Sequence, residues 1–257
     1  MNDLPVGENE LTTEFEQDGY AALRPLYNSE DMAQINAEID RFINDVVPEM
    51  PSESVYYEDP EDKSSLKQLQ RMFEYDPYFE DLMLNGLPRK IAETVLGENV
   101  IPVNMQYFNK PAGIGKPTPP HQDGYYFHLS PCRAVTGWLA LEPVDEENGC
   151  IHYVRGSHKH EGFRDHGQTG VLGFSQGMTD FGTDEDKAET RSFPGDAGTF
   201  LMHDSKTIHW AGANQSKTRS RKALGFIYYA ESAQLDEKAA NAYQDKLDAR
   251  LKAAGKV

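Results

Sequence analysis

Between Val100 and Ala230 the chain is punctuated five times by short β-branched and aromatic runs: VIPVNMQYFNK, AVTGWLALEPV, GCIHYVRGS, AGTFLMHDSKTIHW and KALGFIYYA. Each is set off by Gly, Pro, Asn or Asp. Such residues fit a pleated, half-buried surface, and several short strands at this spacing resolve into a sandwich or barrel. The flanks have a different texture. In LTTEFEQDGYAALRPLYNSEDMAQINAEIDRFINDVV, Thr12 or Thr13 can cap a short helix that Gly19 ends, and YAALRPL offers a strand. Asn28 or Ser29 then caps a helix whose Met32, Ile35, Ile39, Phe42 and Ile43 recur at helical spacing. The acidic, proline-rich segment 48–63 reads as a loop, and 64–72 and 79–96 carry helical patterns.

The expected organisation is one domain over residues 1–257, mainly β with flanking helices: a helical N-terminal elaboration at 11–99, a β-core at 100–230 and a C-terminal helix at 231–257. The polar, glycine-rich stretch from Lys159 to Arg191 is long for a loop inside such a domain, which marks it as a lid over a site.

Charge narrows the partners. With 25 Lys and Arg against 42 Asp and Glu the formal net charge is −17, which disfavours a nucleic-acid groove or an anionic membrane surface and leaves small ligands open. Lys206, Lys217, Arg219, Arg221 and Lys222 crowd one region and read first as a solvated basic loop. The start MNDLPVGENELTTEF has neither a basic nor an apolar leader region, and no apolar run approaches membrane length, so a cytoplasmic protein, monomeric or homodimeric, is expected. Cys132 and Cys150 are too few for a disulfide framework and read as buried free thiols.

Chemistry concentrates in PPHQDGYYFHL, Pro119 to Leu129. On a strand, residues two apart share a face at about 6.6 Å between Cα atoms, so His121 and Asp123 can converge on one ion. A third ligand from a distant strand would complete a facial set of two histidines and one carboxylate, the arrangement that leaves open positions on Fe(II). His203 and His209 are the candidates, and His209 is preferred because it ends an apolar run before the turn AGAN. The strand returning from that turn carries Arg221, whose fork suits the far carboxylate of 2-oxoglutarate. Ala223, Gly225 and Ile227 share the arginine's face and are small or apolar, as a narrow barrel requires.

The order FEQDGYAALRPL, HQD, GWLALEPVDEENGCIHYVRGSH, FPGDAGTFLMHDSKTIHWAGANQS and RKAL, spread from about Phe15 to Tyr229, resembles the phytanoyl-CoA dioxygenase family of Fe(II)- and 2-oxoglutarate-dependent oxygenases. The resemblance implies a double-stranded β-helix, or jelly roll, with iron on His121, Asp123 and His209 and with Arg221 holding 2-oxoglutarate. Gln122, Trp138 and Gln106 match positions lining the cosubstrate pocket. It implies hydroxylation of a small molecule by O2 with release of succinate and CO2; in related halogenases a small residue replaces the carboxylate that Asp123 supplies here. The chain departs from the pattern in three places. His209 and Arg221 are 12 residues apart (221 − 209), one more than the family spacing, so Arg219 competes; PGSH is RGSH at 155–158; and Ala211 stands where a small polar residue is common.

Tyr125, Tyr126 and Phe127 follow the ligand pair directly, and a strand there would turn one or two of them toward substrate. His128, His152, His158, His160 and His166 read as surface or hydrogen-bonded histidines, and the acidic turn DEENGC carries no assigned chemistry. Two rival readings remain: a cupin-type metalloenzyme that does not use 2-oxoglutarate, and a catalytically silent protein that binds metal and 2-oxoglutarate.

Overall fold

The computed structural model describes residues 4–171 and 174–253. The N-terminal part interleaves helices with strands: α1 (Glu8–Asp18), β1 (Tyr20–Leu23), α2 (Ser29–Asp45), β2 (Val55–Tyr57), β3 (Leu66–Leu69), α3 (Pro77–Asn85) and α4 (Leu87–Leu96). α1 starts before the expected caps. Thr12 and Thr13 lie inside it and donate to the carbonyls of Glu8 and Asn9, while Gly19, at φ 83°, closes it. α2 begins on Asn28, which exchanges side-chain and main-chain bonds with Asp31, and it buries Met32, Ile35, Ile39 and Phe42.

Three expectations are corrected here. The helical pattern at 64–72 is not an α-helix but strand β3 flanked by single 3-10 turns; all four strand residues are buried and the strand pairs with the following one at Gln68↔Phe108 and Leu69↔Tyr107, so tertiary pairing overrides local propensity. The supposed loop at 48–63 contains β2, paired with β3 at Val55↔Leu69. The helix expected over 79–96 is two helices broken at Gly86, with Pro88 in the first turn of α4, where its missing N–H costs nothing.

The core follows as β4 (Val100–Lys110), β5 (Thr118–His121), α5 (Gly124–Phe127), β6 (Leu129–Ser130), β7 (Ala134–Ala140) and β8 (Ile151–Val154). Then come β9 (His166–Val171), β10 (Phe174–Met178), α6 (Asp184–Glu189), β11 (Thr190–Phe193), β12 (Phe200–Asp204), β13 (His209–Ala211), β14 (Arg221–Ala230), β15 (Gln234–Leu235) and α7 (Glu237–Ala253). A seven-stranded antiparallel sheet runs β1-β12-β7-β14-β4-β3-β2, and a four-stranded one runs β11-β8-β13-β5. Together they form the jelly roll, with three N-terminal strands recruited into the larger sheet.

Side-chain alternation divides the interior in two. Leu139, Phe200, Met202, Leu224, Phe226 and Tyr228 point out of the larger sheet and pack under the helices. Their neighbours Trp138, Ala140, Leu201 and Ala223 point into the barrel, against Ile151, Tyr153 and Phe193 of the smaller sheet. Small inward residues leave room between the sheets, and that room is where the site lies.

The stretch from Lys159 to Arg191 is not one irregular lid. It holds the β9–β10 hairpin, which packs along β5, and helix α6. At the C-terminal end β15 pairs with β6 before α7 starts at Glu237, later than expected; 254–257 lie outside the described residues. Among the described residues no helix is long and apolar enough to cross a membrane.

Phe226 is fully buried on the helix side and packs on Phe200 at 6.1 Å between ring centroids. Phe226→Ala is expected to lower unfolding stability by about 3–5 kcal/mol, read from urea midpoints, because the helices cannot close over the void.

Candidate metal centre

His121 ends β5 and His209 begins β13, and the two are paired directly across the antiparallel ladder. Their rings lie 4.1 Å apart between centroids as a result. Asp123 reaches them differently from the strand geometry expected. After His121 the backbone turns into α5, with Asp123 at φ −57° and ψ −40° as its N-cap residue, and this turn swings the carboxylate back over the rings. Asp123 Oδ1 is 3.3 Å from His121 Nε2 and 3.6 Å from His209 Nε2. One donor atom from each of the three residues lies within 4.8 Å of the others.

The tautomers follow from the outer nitrogens. His121 Nδ1 is 2.8 Å from the Pro119 carbonyl and His209 Nδ1 is 3.0 Å from that of Thr207. A carbonyl only accepts, so each Nδ1 carries the hydrogen and each Nε2 presents its lone pair to the centre. Burial, and then the neighbouring imidazoles of His121 and His203, push His209 well below the ordinary histidine range, which keeps it neutral. Burial alone would raise Asp123, but the contacts of its carboxylate with His209, His121 and His203 hold it well below the usual carboxylate range. Two neutral imidazoles and one carboxylate form a nitrogen–oxygen donor set that fits Fe(II).

His203, the alternative ligand, has another place. On β12 it faces the barrel opposite Thr136 of β7, and both address the other carboxylate oxygen. Thr136 Oγ1 donates to Asp123 Oδ2 at 2.6 Å, and His203 Nε2 stands 3.3 Å from it. Buried Tyr153 completes the chain, its hydroxyl 2.9 Å from His203 Nδ1. No sequence motif marks Thr136 or Tyr153. Their signal was available in part: inward alternation on β7 and β8 puts both on the face that carries Trp138 and Ile151.

Arg221 opens β14 on the inner face, 4% exposed. Its guanidinium lies 5.6 Å from the centre of the Trp138 ring, its Nε has no hydrogen-bond partner, and it makes no ion pair among the described residues. Burial pushes it down to about 10, with Glu142 partly offsetting, so it remains a cation at neutral pH. Arg219 is instead pinned at the surface by Asp145 at 2.8 Å and Glu147 at 2.5 Å. The basic cluster of the sequence is therefore dispersed. Gln106, Gly225 and Trp138 form one rung across β4, β14 and β7. A Cβ on Gly225 would sit 2.7 Å from the Phe108 ring, so this rung is built around the missing side chain.

Gln122 is buried, but its amide is bonded to the main chain at both ends, donating to Lys206 O at 2.7 Å and accepting from Arg164 N at 3.0 Å. It braces the turn. The helical turn α5 also removes the alternation expected of the three aromatics. Tyr125 stacks on His166 at 4.1 Å and Tyr126 lies edge-on to His121, its hydroxyl donating to the Gln176 carbonyl. Phe127 is buried against Tyr229 at 5.1 Å. The β9–β10 hairpin thus forms a wall of the site. His128 lies near Tyr243, His158 bonds to the Glu16 carbonyl at 3.2 Å, and His160 faces Glu185.

A jelly roll with two histidines and a carboxylate between its sheets, and a buried arginine on the facing strand, defines the class of non-haem metal oxygenases. Residues 15–223 match the phytanoyl-CoA dioxygenase (PhyH) family, and the chain belongs to it. It is 26% identical over 250 residues to the peroxisomal phytanoyl-CoA dioxygenase of Mus musculus, covering 89% of this chain and 71% of that protein. A probable alpha-ketoglutarate-dependent hypophosphite dioxygenase of Stutzerimonas stutzeri is 25% identical over 220 residues, covering 84% of this chain and 76% of that one. The epimerase SnoN, solved with Fe3+, alpha ketoglutarate and nogalamycin RO, superposes with a TM-score of 0.72 at 22% identity, covering 89% of this chain and 85% of that one.

Thr136→Val removes the shorter of the two bonds to Asp123 Oδ2. Divalent-ion affinity, measured by calorimetric titration of metal-free protein with Mn2+, is expected to fall about 10–100-fold with the fold retained.

Proposed function

We propose that this chain is an Fe(II)- and 2-oxoglutarate-dependent oxygenase that hydroxylates a small molecule. In this reading His121, Asp123 and His209 hold the iron, and Arg221 holds the far carboxylate of 2-oxoglutarate. The observation that carries it is Arg221: a buried cation on the inner face of the barrel that makes no ion pair among the described residues and whose Nε has no hydrogen-bond partner. Such a charge is costly unless an anionic ligand completes it. The cupin-type reading without 2-oxoglutarate leaves this arginine without purpose. Family membership and the alpha-ketoglutarate named for two relatives support the same conclusion.

Bound iron, with 2-oxoglutarate and O2, supplies the oxidation that releases succinate and CO2 and hydroxylates a C–H bond. The protein's part is positioning and exclusion of water. His121 and His209 offer fixed lone pairs because their outer N–H groups are committed to main-chain carbonyls. Thr136 and His203 fix the carboxylate plane of Asp123 by holding the oxygen turned away from the two rings. Trp138 supports the guanidinium of Arg221, and Gln106, beside it on the same rung, is a secondary contact for the cosubstrate. Tyr125 and Tyr126, walled by the hairpin, are the proposed substrate-side surface. The net charge of −17 favours a small polar or neutral substrate over a polyanion such as a CoA ester.

Anaerobic addition of Fe(II) and 2-oxoglutarate is expected to give the weak visible metal-to-ligand charge-transfer band. The band should be lost in His209→Ala, weakened in Arg221→Ala and unchanged in Arg219→Ala. A band equally weakened by the two arginine variants would remove the assignment of Arg221. Its absence from folded wild-type protein would overturn the proposed cosubstrate. Succinate release across a panel of small substrates then separates an oxygenase from a silent binder.

A further inference from the structure

The acidic turn DEENGC is built as firmly as the main site. Asp145 Oδ1 accepts from the main-chain N–H of Glu147 and Asn148, and Asn148 Oδ1 accepts from that of Asp145 at 2.8 Å. The main-chain N–H of Gly149 and Cys150 both donate to the Asp145 carbonyl, and Gly149 at φ 92° allows the chain to double back into β8. On entering β8, Ile151 and Tyr153 face the barrel and His152 the opposite face, while Cys150, just before the strand, is buried in the inner cluster with Val144 and Phe193. His152 lies flat on Trp210, 3.9 Å between ring centroids and 6° from parallel, and its Nε2 is 3.1 Å from Glu146 Oε2. One donor atom each from Glu146, Cys150 and His152 falls within 4.8 Å of the others.

Two of these donors are in an unusual state for a surface ion pair. Cys150 is fully buried, and the His152 side chain is only 9% exposed, with Nδ1 lacking a hydrogen-bond partner. Glu146, 62% exposed, gives an ion a way in from solvent. We propose that Glu146, Cys150 and His152 form a second metal site, at the entry to β8, that takes a borderline-soft divalent ion of the Zn2+ type. A thiolate, an imidazole and a carboxylate are zinc's donor types, and three of them leave one tetrahedral position for water. The thiolate also disfavours Mg2+ and Ca2+, which take oxygen ligands.

Burial and the nearby Glu146 charge push the Cys150 thiol up to about 11, while burial pushes His152 down from its ordinary value despite Glu146. Binding breaks the S–H bond, sends the proton to solvent and commits the sulfur electron pair to the ion. The ion would then clamp a turn whose Asn148 donates to the Ser220 carbonyl at 3.0 Å, one residue before Arg221. The triad contains no thiol, so the two sites separate spectroscopically.

Metal-free protein titrated with Co2+, standing in for Zn2+, is expected to develop a near-ultraviolet thiolate-to-cobalt absorption that excess Zn2+ abolishes. The band should persist in His209→Ala and in Cys132→Ser and be lost in Cys150→Ser. Glu146→Gln, on an exposed side chain that carries no folding risk, should weaken Co2+ binding about tenfold or more, as loss of a metal contact does. Combined with His209→Ala, it should also remove the Zn2+-induced rise in melting temperature expected of His209→Ala alone. Absence of the band in wild type, or a band that survives Cys150→Ser, overturns the proposal.

Discussion

His209 and His121 stand opposite each other across β13 and β5, and almost everything in the site depends on that register. Strand side chains alternate with a period of two, so a slip of one residue would turn one ring out of the barrel. The pairing is locked from the other side as well, where His209 also opposes Tyr153 of β8. That second partner places the Tyr153 hydroxyl against His203, and His203 against the carboxylate. One strand of three residues thus fixes both histidines and, through its neighbour, the orientation of Asp123.

The larger sheet supplies the complementary constraint. Its outward residues are large and pack under the helices, while its inward ones on β14 are Ala223 and Gly225. Emptiness there is as specific as packing elsewhere: with Phe108 already pressed against the Cα of Gly225, the space beside Arg221 and Trp138 is set by backbone and by two aromatic rings. The helices therefore carry the stability, and the barrel interior is left free to carry charge.

The β-rich core, the inward face of β14 and the three donors were legible in the sequence because each rests on alternation or on residue chemistry. Other features depended on pairing between distant segments. Nothing local in LKQL marks a strand, since Lys67 and Gln68 are buried only once β4 and Glu58 meet them. The Asp123 carboxylate was placed correctly beside His121 on a mistaken geometry, a strand where the chain makes a helical turn. Gln122 illustrates the limit of transfer by motif: its position matched, but its amide is already bonded to Lys206 and Arg164. The choice between Arg219 and Arg221 could not come from spacing, because it rests on which one finds carboxylates at the surface.

That contrast between two arginines, two residues apart, is an energetic one. Arg219 meets Asp145 and Glu147 in water, where an ion pair adds little to stability and holds the turn more than the fold. Arg221 has given up water without gaining an ion pair among the described residues, and Glu142, which moderates its charge, spends its own oxygens on Ser220 and the Lys222 N–H. Nearby, Lys110 is buried as well, its Nζ donating to the Gly212 carbonyl at 2.6 Å, and burial with the Arg221 and Lys67 charges pushes it down to about 6. Arg221 thus puts a positive charge on the inner face of the barrel, and an anion that enters there offsets a desolvation cost already incurred in folding.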